Sequence, residues 1–199
     1  MKIVVIGATG AVGSAAVEEL KGEADIISAG RSSGDVRVDI TSPDSIRNMF
    51  EEVGEIDALV SATGAAHFAP VGELTPEQNR IAVDSKLLGQ VNLVLLGLPY
   101  IKDNGSITLT TGILMDDPVP QAASAAMANG GVRAFVKSAA IELPRGIRIN
   151  TVSPNVLEKS LGKYGAFFEG FEPVSAKRVG LAFRKSVFGA QTGQSYEVY

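Results

Sequence analysis

The chain of 199 residues has no cysteine, no tryptophan and a single histidine, His67. Without cysteine there is no disulfide, no thiolate nucleophile and no thiolate metal site. A metal would have to rest on carboxylates, and no Asp or Glu cluster has a suitable spacing. Long basic runs are also missing. Lys and Arg number 18 against 22 Asp and Glu, a net charge of −4, which argues against nucleic acid as the main partner. No uninterrupted apolar stretch reaches about 18 residues, so no membrane span is expected. Lys2–Ile6 reads directly as a strand rather than a secretory leader, so a cytoplasmic setting is expected. What remains is 45% hydrophobic and 20% charged, the balance of a globular protein. The length suits one well-buried core, and no linker or repeat divides residues 1–199, so one domain is expected.

The most informative pattern is Gly7, Gly10 and Gly13, placed between the strand-like run Lys2–Ile6 and the helix-like run Ala11–Lys21. A strand that turns into a helix points free N–H groups and the positive end of the helix dipole beyond the strand end, where they can hold a phosphate. Glycine lets the backbone turn tightly and approach a pyrophosphate. The alternative is that these are ordinary strand-to-helix turn glycines.

Short apolar runs recur at Ile3–Ile6, Ile26–Ala29, Val36–Val38, Ala58–Ser61, Ile107–Thr110 and Ile147–Val152, as expected of buried strands. Helix-length segments lie between them at Ala11–Lys21, Pro43–Val53, Pro76–Tyr100 and Ser124–Leu143, with a last helix at Ser175–Val187 and a last strand near Ser195–Val198. Ser42-Pro43-Asp44 and Thr75-Pro76-Glu77 are helix starts, a capping hydroxyl followed by proline in the first turn. Alternating strands and helices predict an α/β fold, a doubly wound parallel sheet covered on both faces. Ligands of such sheets sit beyond the carboxyl ends of the strands. Small polar residues and glycine stand there: Gly30-Arg31-Ser32-Ser33, Asp39-Ile40, Ser61-Ala62-Thr63-Gly64, Thr110-Thr111-Gly112 and Ser153-Pro154-Asn155.

With these residues assembled, the chain resembles the short-chain dehydrogenase/reductase family over nearly its whole length. The glycine turn resembles that of extended and atypical members. Ser61-Ala62-Thr63-Gly64 stands where the family usually has Asn-Asn-Ala-Gly, Val132–Leu143 is like its central helix, and Gly146–Pro154 is like its sixth strand, which usually ends Ser-Pro-Gly. The resemblance implies a single Rossmann-fold domain and carries cofactor contacts onto Gly7, Thr9, Gly10, Ala11, Val12, Gly13, Arg31, Ser32, Asp39, Ile40, Ala62, Thr63 and Gly64. Arg31 follows the second strand, where an acidic residue would bind the ribose of NAD and an arginine accommodates the 2′-phosphate of NADP. NADP is therefore expected over NAD, with Ser32 and Ser33 as further donors; the alternative is a solvated surface charge. Asp39 matches the family residue that contacts the adenine amino group, or else acts like a helix cap.

The resemblance fails at the catalytic pair. The family uses a Tyr hydroxyl and a Lys four residues later on one helix face. Those positions hold Ala125 and Asn129, and no tyrosine lies between Tyr100 and Tyr164. The family serine corresponds to Thr110 or, better, Thr111, and its helical asparagine to Lys86. Lys86 either supplies a proton in the cleft or caps a polar pocket by pairing with Asp84 or Thr111. His67 is a candidate at the cleft mouth or a surface residue. Tyr164 lends a hydroxyl from the covering segment or packs with Phe167 and Phe168. Two functions follow: an NADP-linked oxidoreductase on a carbonyl or alcohol, with Thr111 and Lys86 as non-standard catalytic groups, or a catalytically inactive NADP(H)-binding sensor or partner subunit. The apolar helices Leu87–Leu98 and Val132–Ile141 match faces that relatives use to dimerise, so a homodimer or homotetramer is expected. The short Asn155–Glu172 segment, rich in Gly and Phe, predicts only a partly apolar substrate pocket.

Overall fold

The central runs of Val and Ile become strands buried on both faces, which is what a parallel sheet between helical layers demands, while Asp25–Gly30 and Val36–Arg37 toward the sheet edge are only partly buried. The computed structural model describes residues 1–199. Strands β1 (Lys2–Ile6), β2 (Asp25–Gly30), β3 (Val36–Arg37), β4 (Ile56–Ser61), β5 (Ile101–Thr110), β6 (Arg148–Pro154) and β7 (Ser195–Val198) form one sheet in the order β3-β2-β1-β4-β5-β6-β7. All neighbours are parallel. The order reverses between β1 and β4, so a crevice opens above their carboxyl ends.

Helices α1 (Ala11–Leu20) and α7 (Ala176–Phe188) pack on one face, where Leu20, Val179 and Phe183 bury with Ile3 and Val5. The other face carries α2 (Pro43–Val53), the long helical segment 76–100 and α5 (Ala123–Ala139), with Phe50, Leu93, Val132 and Val136 over Val4 and Leu59. The expected helix starts are real caps. Ser42 accepts from the Ser45 N–H at 3.3 Å, and Thr75 forms a reciprocal capping box with Gln78.

The segment 76–100 departs from the expected regular helix. It is α3 (Pro76–Ile81), a π-helix over Ala82–Gly89, α4 (Gln90–Gly97) and a 3₁₀ turn at Leu98–Tyr100. Wide turns of this kind are rare and concentrate at functional sites. Pro76–Tyr100 is also long and apolar enough to cross a membrane by length and composition, with a mean hydropathy of 1.4 over 18 residues. Helices that pack on a protein's own core pass the same test, and this one carries Asp84 and Lys86 within it. Here the segment packs between α2 and α5.

A third, smaller cluster sits above the carboxyl end of the sheet. Ile113, Leu114, Val119, Ala122 and Ala125 gather there under Phe68, Phe167, Phe168 and Phe171. The covering segment after β6 includes the single-turn helix α6 (Leu161–Tyr164). Its base is closed: Asn155 donates from Nδ2 to the Glu172 carbonyl at 2.8 Å, and the Val174 N–H donates to Val156 at 2.9 Å.

Candidate active site

The turn after β1 is built so that backbone, not side chain, faces the crevice. Gly7 has φ +79° and donates to the Ala29 carbonyl at 2.8 Å; Gly10 donates back to the Gly7 carbonyl at 3.0 Å. A Cβ on Gly7 would stand 2.6 Å from the Ala62 oxygen, and one on Gly13 only 2.0 Å from the Gly7 oxygen. Both glycines are therefore sterically required. Gly10 would meet only its own turn, at 3.3 Å.

This turn forms one wall of a cavity of about 450 Å³, lined also by Arg31, Ser32, Asp39, Ile40, Ala62, Thr63 and Gly64. Thr9 lines it and its hydroxyl lies 3.2 Å from that of Ser33. The loop bearing Arg31 is fixed from below: Asp35 accepts from the Ser28 N–H at 2.8 Å and from its hydroxyl at 2.6 Å. Arg31 is exposed and in no ion pair closer than 4 Å, so its guanidinium is available at the rim. Asp39 accepts from the Thr41 hydroxyl and N–H at 2.7 and 3.0 Å. Those bonds, with a smaller contribution from Arg31, hold its carboxyl below the usual range. It forms an Asx turn, and the helix cap it was weighed against is Ser42. Gly10, Ala11 and Gly13 shape the turn without lining the cavity, and Val12 faces a second one.

That second cavity, about 480 Å³, adjoins the first; Gly64 and Ala65 line both. It brings together Lys86, Thr111, Ala125, Asn129 and Tyr164 from four separate stretches of chain, Ala125 and Asn129 both standing on α5. Thr111 and Asn129 are 4% and 2% exposed, and the Thr111 hydroxyl and Asn129 Oδ1 have no hydrogen-bond partner. Orphaned buried polar atoms cost free energy, so they mark a place where a ligand can supply partners. Asn129 reaches only the Gly112 carbonyl, at 3.4 Å. Thr110, the other threonine, is absorbed structurally: its hydroxyl donates to the Ser61 carbonyl at 2.6 Å.

Lys86 lies in the π-helix, its backbone against Gly64, where a Cβ would come within 2.8 Å. The cavity walls strip water from its ammonium and lower its pKa to about 8. Neither pairing considered for it forms: Asp84 pairs with Arg80 at 3.1 Å, and Thr111 is unpartnered. His67 lines neither cavity. Tyr164 packs on Phe68, with ring centroids 6.3 Å apart, rather than with Phe167 and Phe168; Phe167 meets Phe68 at a tilt and Phe168 meets Phe171 edge-on.

Two residues escaped the reading of the sequence. Phe68 roofs the cavity from the loop after β4. Gln90, fully buried, accepts from the Thr110 N–H at 2.9 Å and donates to the carbonyls of Thr110 and Lys86 at 2.9 and 3.0 Å. One side chain thus ties the end of β5 to the turn that carries Lys86. A polar residue in the apolar run 87–98 was the available signal.

The sequence profile described as Enoyl-(Acyl carrier protein) reductase matches residues 2–183. The chain belongs to the short-chain dehydrogenase/reductase family. It is 65% identical to the solved protein lin1944 from Listeria innocua, with a TM-score of 0.99 and both chains fully covered. A small-chain dehydrogenase solved in complex with NADPH is 27% identical, with a TM-score of 0.89, all of this chain covered and 96% of that one. An uncharacterized oxidoreductase of Methylorubrum extorquens is 30% identical over 76% of this chain, which spans 61% of that protein. A putative ketoacyl reductase of the granaticin polyketide synthase of Streptomyces violaceoruber is 26% identical over 67% of this chain, which spans 57% of that protein. The chain thus spans about three-fifths of the length of these curated relatives.

Proposed function

We propose that this chain is an NADP-linked oxidoreductase acting on a carbonyl or alcohol, with a degenerate catalytic pair. The observation that carries the reading is the convergence of Lys86, Thr111 and Asn129 on one cavity continuous with the glycine-turn crevice. The NADPH complex of a 27% identical relative supports the cofactor, as does Arg31 at the rim, where a guanidinium suits a phosphate. The residues fit such a group: Gly7 and Gly13 have no room for a Cβ, the turn runs straight into the first turn of α1, and the Thr9 and Ser33 hydroxyls stand at the cavity wall.

Bound NADP(H) supplies the hydride. The Thr111 hydroxyl holds the substrate oxygen. In the reducing direction the Lys86 ammonium gives its proton to that oxygen as the carbonyl becomes an alcohol, and the resulting amine is recharged from solvent. An acid with a pKa of about 8 suits proton donation near neutrality. Asn129 Oδ1 accepts a hydroxyl hydrogen from cofactor or substrate. Ala125 offers no hydroxyl in place of the family tyrosine, and with Lys86 as a substitute acid turnover is expected to be slow, within the factor of about 10² to 10⁴ that a well-placed general acid contributes.

Fluorescence titration with NADPH and NADH, followed by NADPH consumption over a panel of aldehydes and ketones, tests the reading. Turnover that collapses in both Lys86→Ala and Thr111→Ala supports it. Robust turnover indifferent to both changes overturns it. Because Ala125 stands at the proton donor's place, the second reading is an NADP(H)-binding sensor or partner subunit, which predicts tight binding and no turnover across the panel.

A further inference from the structure

The covering segment turns a selected set of residues toward the second cavity. Leu157, Ser160, Tyr164 and Phe168 follow a spacing of three, four and four, a helical face, and all line it. Lys163 lines it too, with its ammonium 5.0 Å from the centre of the Tyr164 ring. The acidic residues of the same segment, Glu158, Glu169 and Glu172, do not. Asp116, two residues beyond the lining residue Leu114, is outside the lining and is held by Arg133, at 2.7 and 2.8 Å, and by the Tyr199 hydroxyl at 2.9 Å. The cavity of a chain with net charge −4 therefore has two ammonium groups and no carboxylate in its lining. The rest is largely apolar or aromatic, with Phe68, Leu114 and Phe168 prominent.

We infer that this cavity takes a carbonyl compound with an apolar or aromatic body and a carboxylate at its far end, the carboxylate held by Lys163. The inference rests on the oxidoreductase reading for the carbonyl and assigns the two cations different work. Lys86, beside Thr111, serves the reacting oxygen. Lys163, at the exposed end among the aromatic side chains, has no ion pair of its own and is free to meet an anion. A flat apolar body between them fits the aromatic walls. A carboxylate beside the exposed Lys163 gains a charge-assisted hydrogen bond, weakened by water, that its methyl ester cannot make.

The test compares 4-carboxybenzaldehyde with methyl 4-formylbenzoate, and the alcohol 4-(hydroxymethyl)benzoate with its methyl ester. Calorimetry in saturating NADPH reads binding of the alcohols without turnover, and NADPH consumption reads the aldehydes. The acid alcohol is expected to bind roughly tenfold or more tightly than its ester, with a preference that shrinks as salt is raised. Lys163→Ala should erase that preference while leaving binding of the ester and of NADPH unchanged; in turnover it should raise KM for the acid aldehyde and spare kcat. Preferential binding of the acid without any NADPH consumption upholds the anion site and overturns the oxidoreductase reading. Turnover of acid and ester with equal KM upholds that reading and overturns the anion site. No measurable binding of the acid, or a preference that survives Lys163→Ala, overturns the anion site as well.

Discussion

Arg31 and Lys86 are both cations without an ion pair, but their surroundings give them opposite behaviour. Arg31 is solvated at the crevice rim, so it keeps its charge and waits for a phosphate. Arg31→Ala is expected to cost NADPH roughly tenfold or more in affinity, the worth of a charge-assisted bidentate contact. NADH affinity should stay nearly constant; fluorescence titration of both cofactors checks this. Lys86 is desolvated and carries its charge at a cost. Its folded-state pKa, about 8, lies below the ordinary 10.5, so folding disfavours the bound proton. That penalty is full below pH 8, where folded and unfolded chains are both protonated, and it fades between about pH 8 and 10.5. Lys86→Met should therefore unfold at higher urea than wild type at pH 7, with the gain lost by pH 10.5. A residue that lowers stability when charged and still faces a cavity is better explained by chemistry than by packing. The complementary change restores the family pair. Ala125→Tyr with Asn129→Lys is expected to add carbonyl reduction measurable as NADPH consumption, provided the cleft lacks only its acid. Unchanged activity in that double variant would place the reacting carbon elsewhere.

At the scale of elements, the π-helix Ala82–Gly89 and the β5 end act as one piece because Gln90 joins them. Gln90→Met keeps the volume but leaves the N–H and carbonyl of Thr110 buried without partners. Such groups cost about 1–3 kcal/mol each, so urea denaturation should show a loss on the order of 3 kcal/mol. Turnover, where present, should fall further than stability alone explains, since Thr111 and Lys86 lose their shared support. This element also shows where the sequence ceased to be legible. Strands β1 and β4, the capped starts of α2 and α3 and the turn at Gly7 were readable, because burial period, capping and steric need are local. The inserted wide turn was not: no residue pattern separates a π-helix from the α-helix it interrupts. The position of β5 was misjudged for a related reason. Its first half, Ile101–Gly105, is polar and pairs through an irregular register with β4, so it lacks the apolar run that announced Ile107–Thr110. In the site, the strand ends pointed to the residues that line the first cavity, such as Thr9, Arg31, Asp39 and Thr63, but not to the division of the glycine turn between its wall and its support. The gathering of Phe68, Tyr164 and Phe168 around the cavity that holds Lys86 could not be read, because it depends on how the loop after β4 meets the segment after β6.

Across the whole molecule, a tension remains between composition and exposure. Pro76–Tyr100 carries apolar side chains on faces that this chain alone does not cover: Ile81, Leu88 and Leu95, at seven-residue intervals, are 43%, 44% and 61% exposed. On the neighbouring α5, Met127 is exposed as well, and Ile141 just beyond it is 89% exposed. The inward residues of both helices are already used, with Leu93, Val132 and Val136 in the core. What is left over is a set of exposed apolar side chains on two neighbouring helices, the kind of surface that marks an interaction face when it joins into one patch. Closed symmetry is the usual way for a soluble chain to cover such a face, each copy presenting the same patch to the other. The outer face of 76–100 then tests association apart from the site, because Leu95 lies well beyond Lys86 and lines neither cavity. Wild-type chain at micromolar concentration is expected to sediment as a dimer or tetramer. Leu95→Glu sets a buried, unpaired charge against its own copy in the partner, which costs several kcal/mol. It should shift the sedimenting mass to the monomer while NADPH affinity stays within about twofold. A wild-type monomer would leave the exposed stripe without this explanation. An unchanged mass in the variant would move the interface to a different face of the fold.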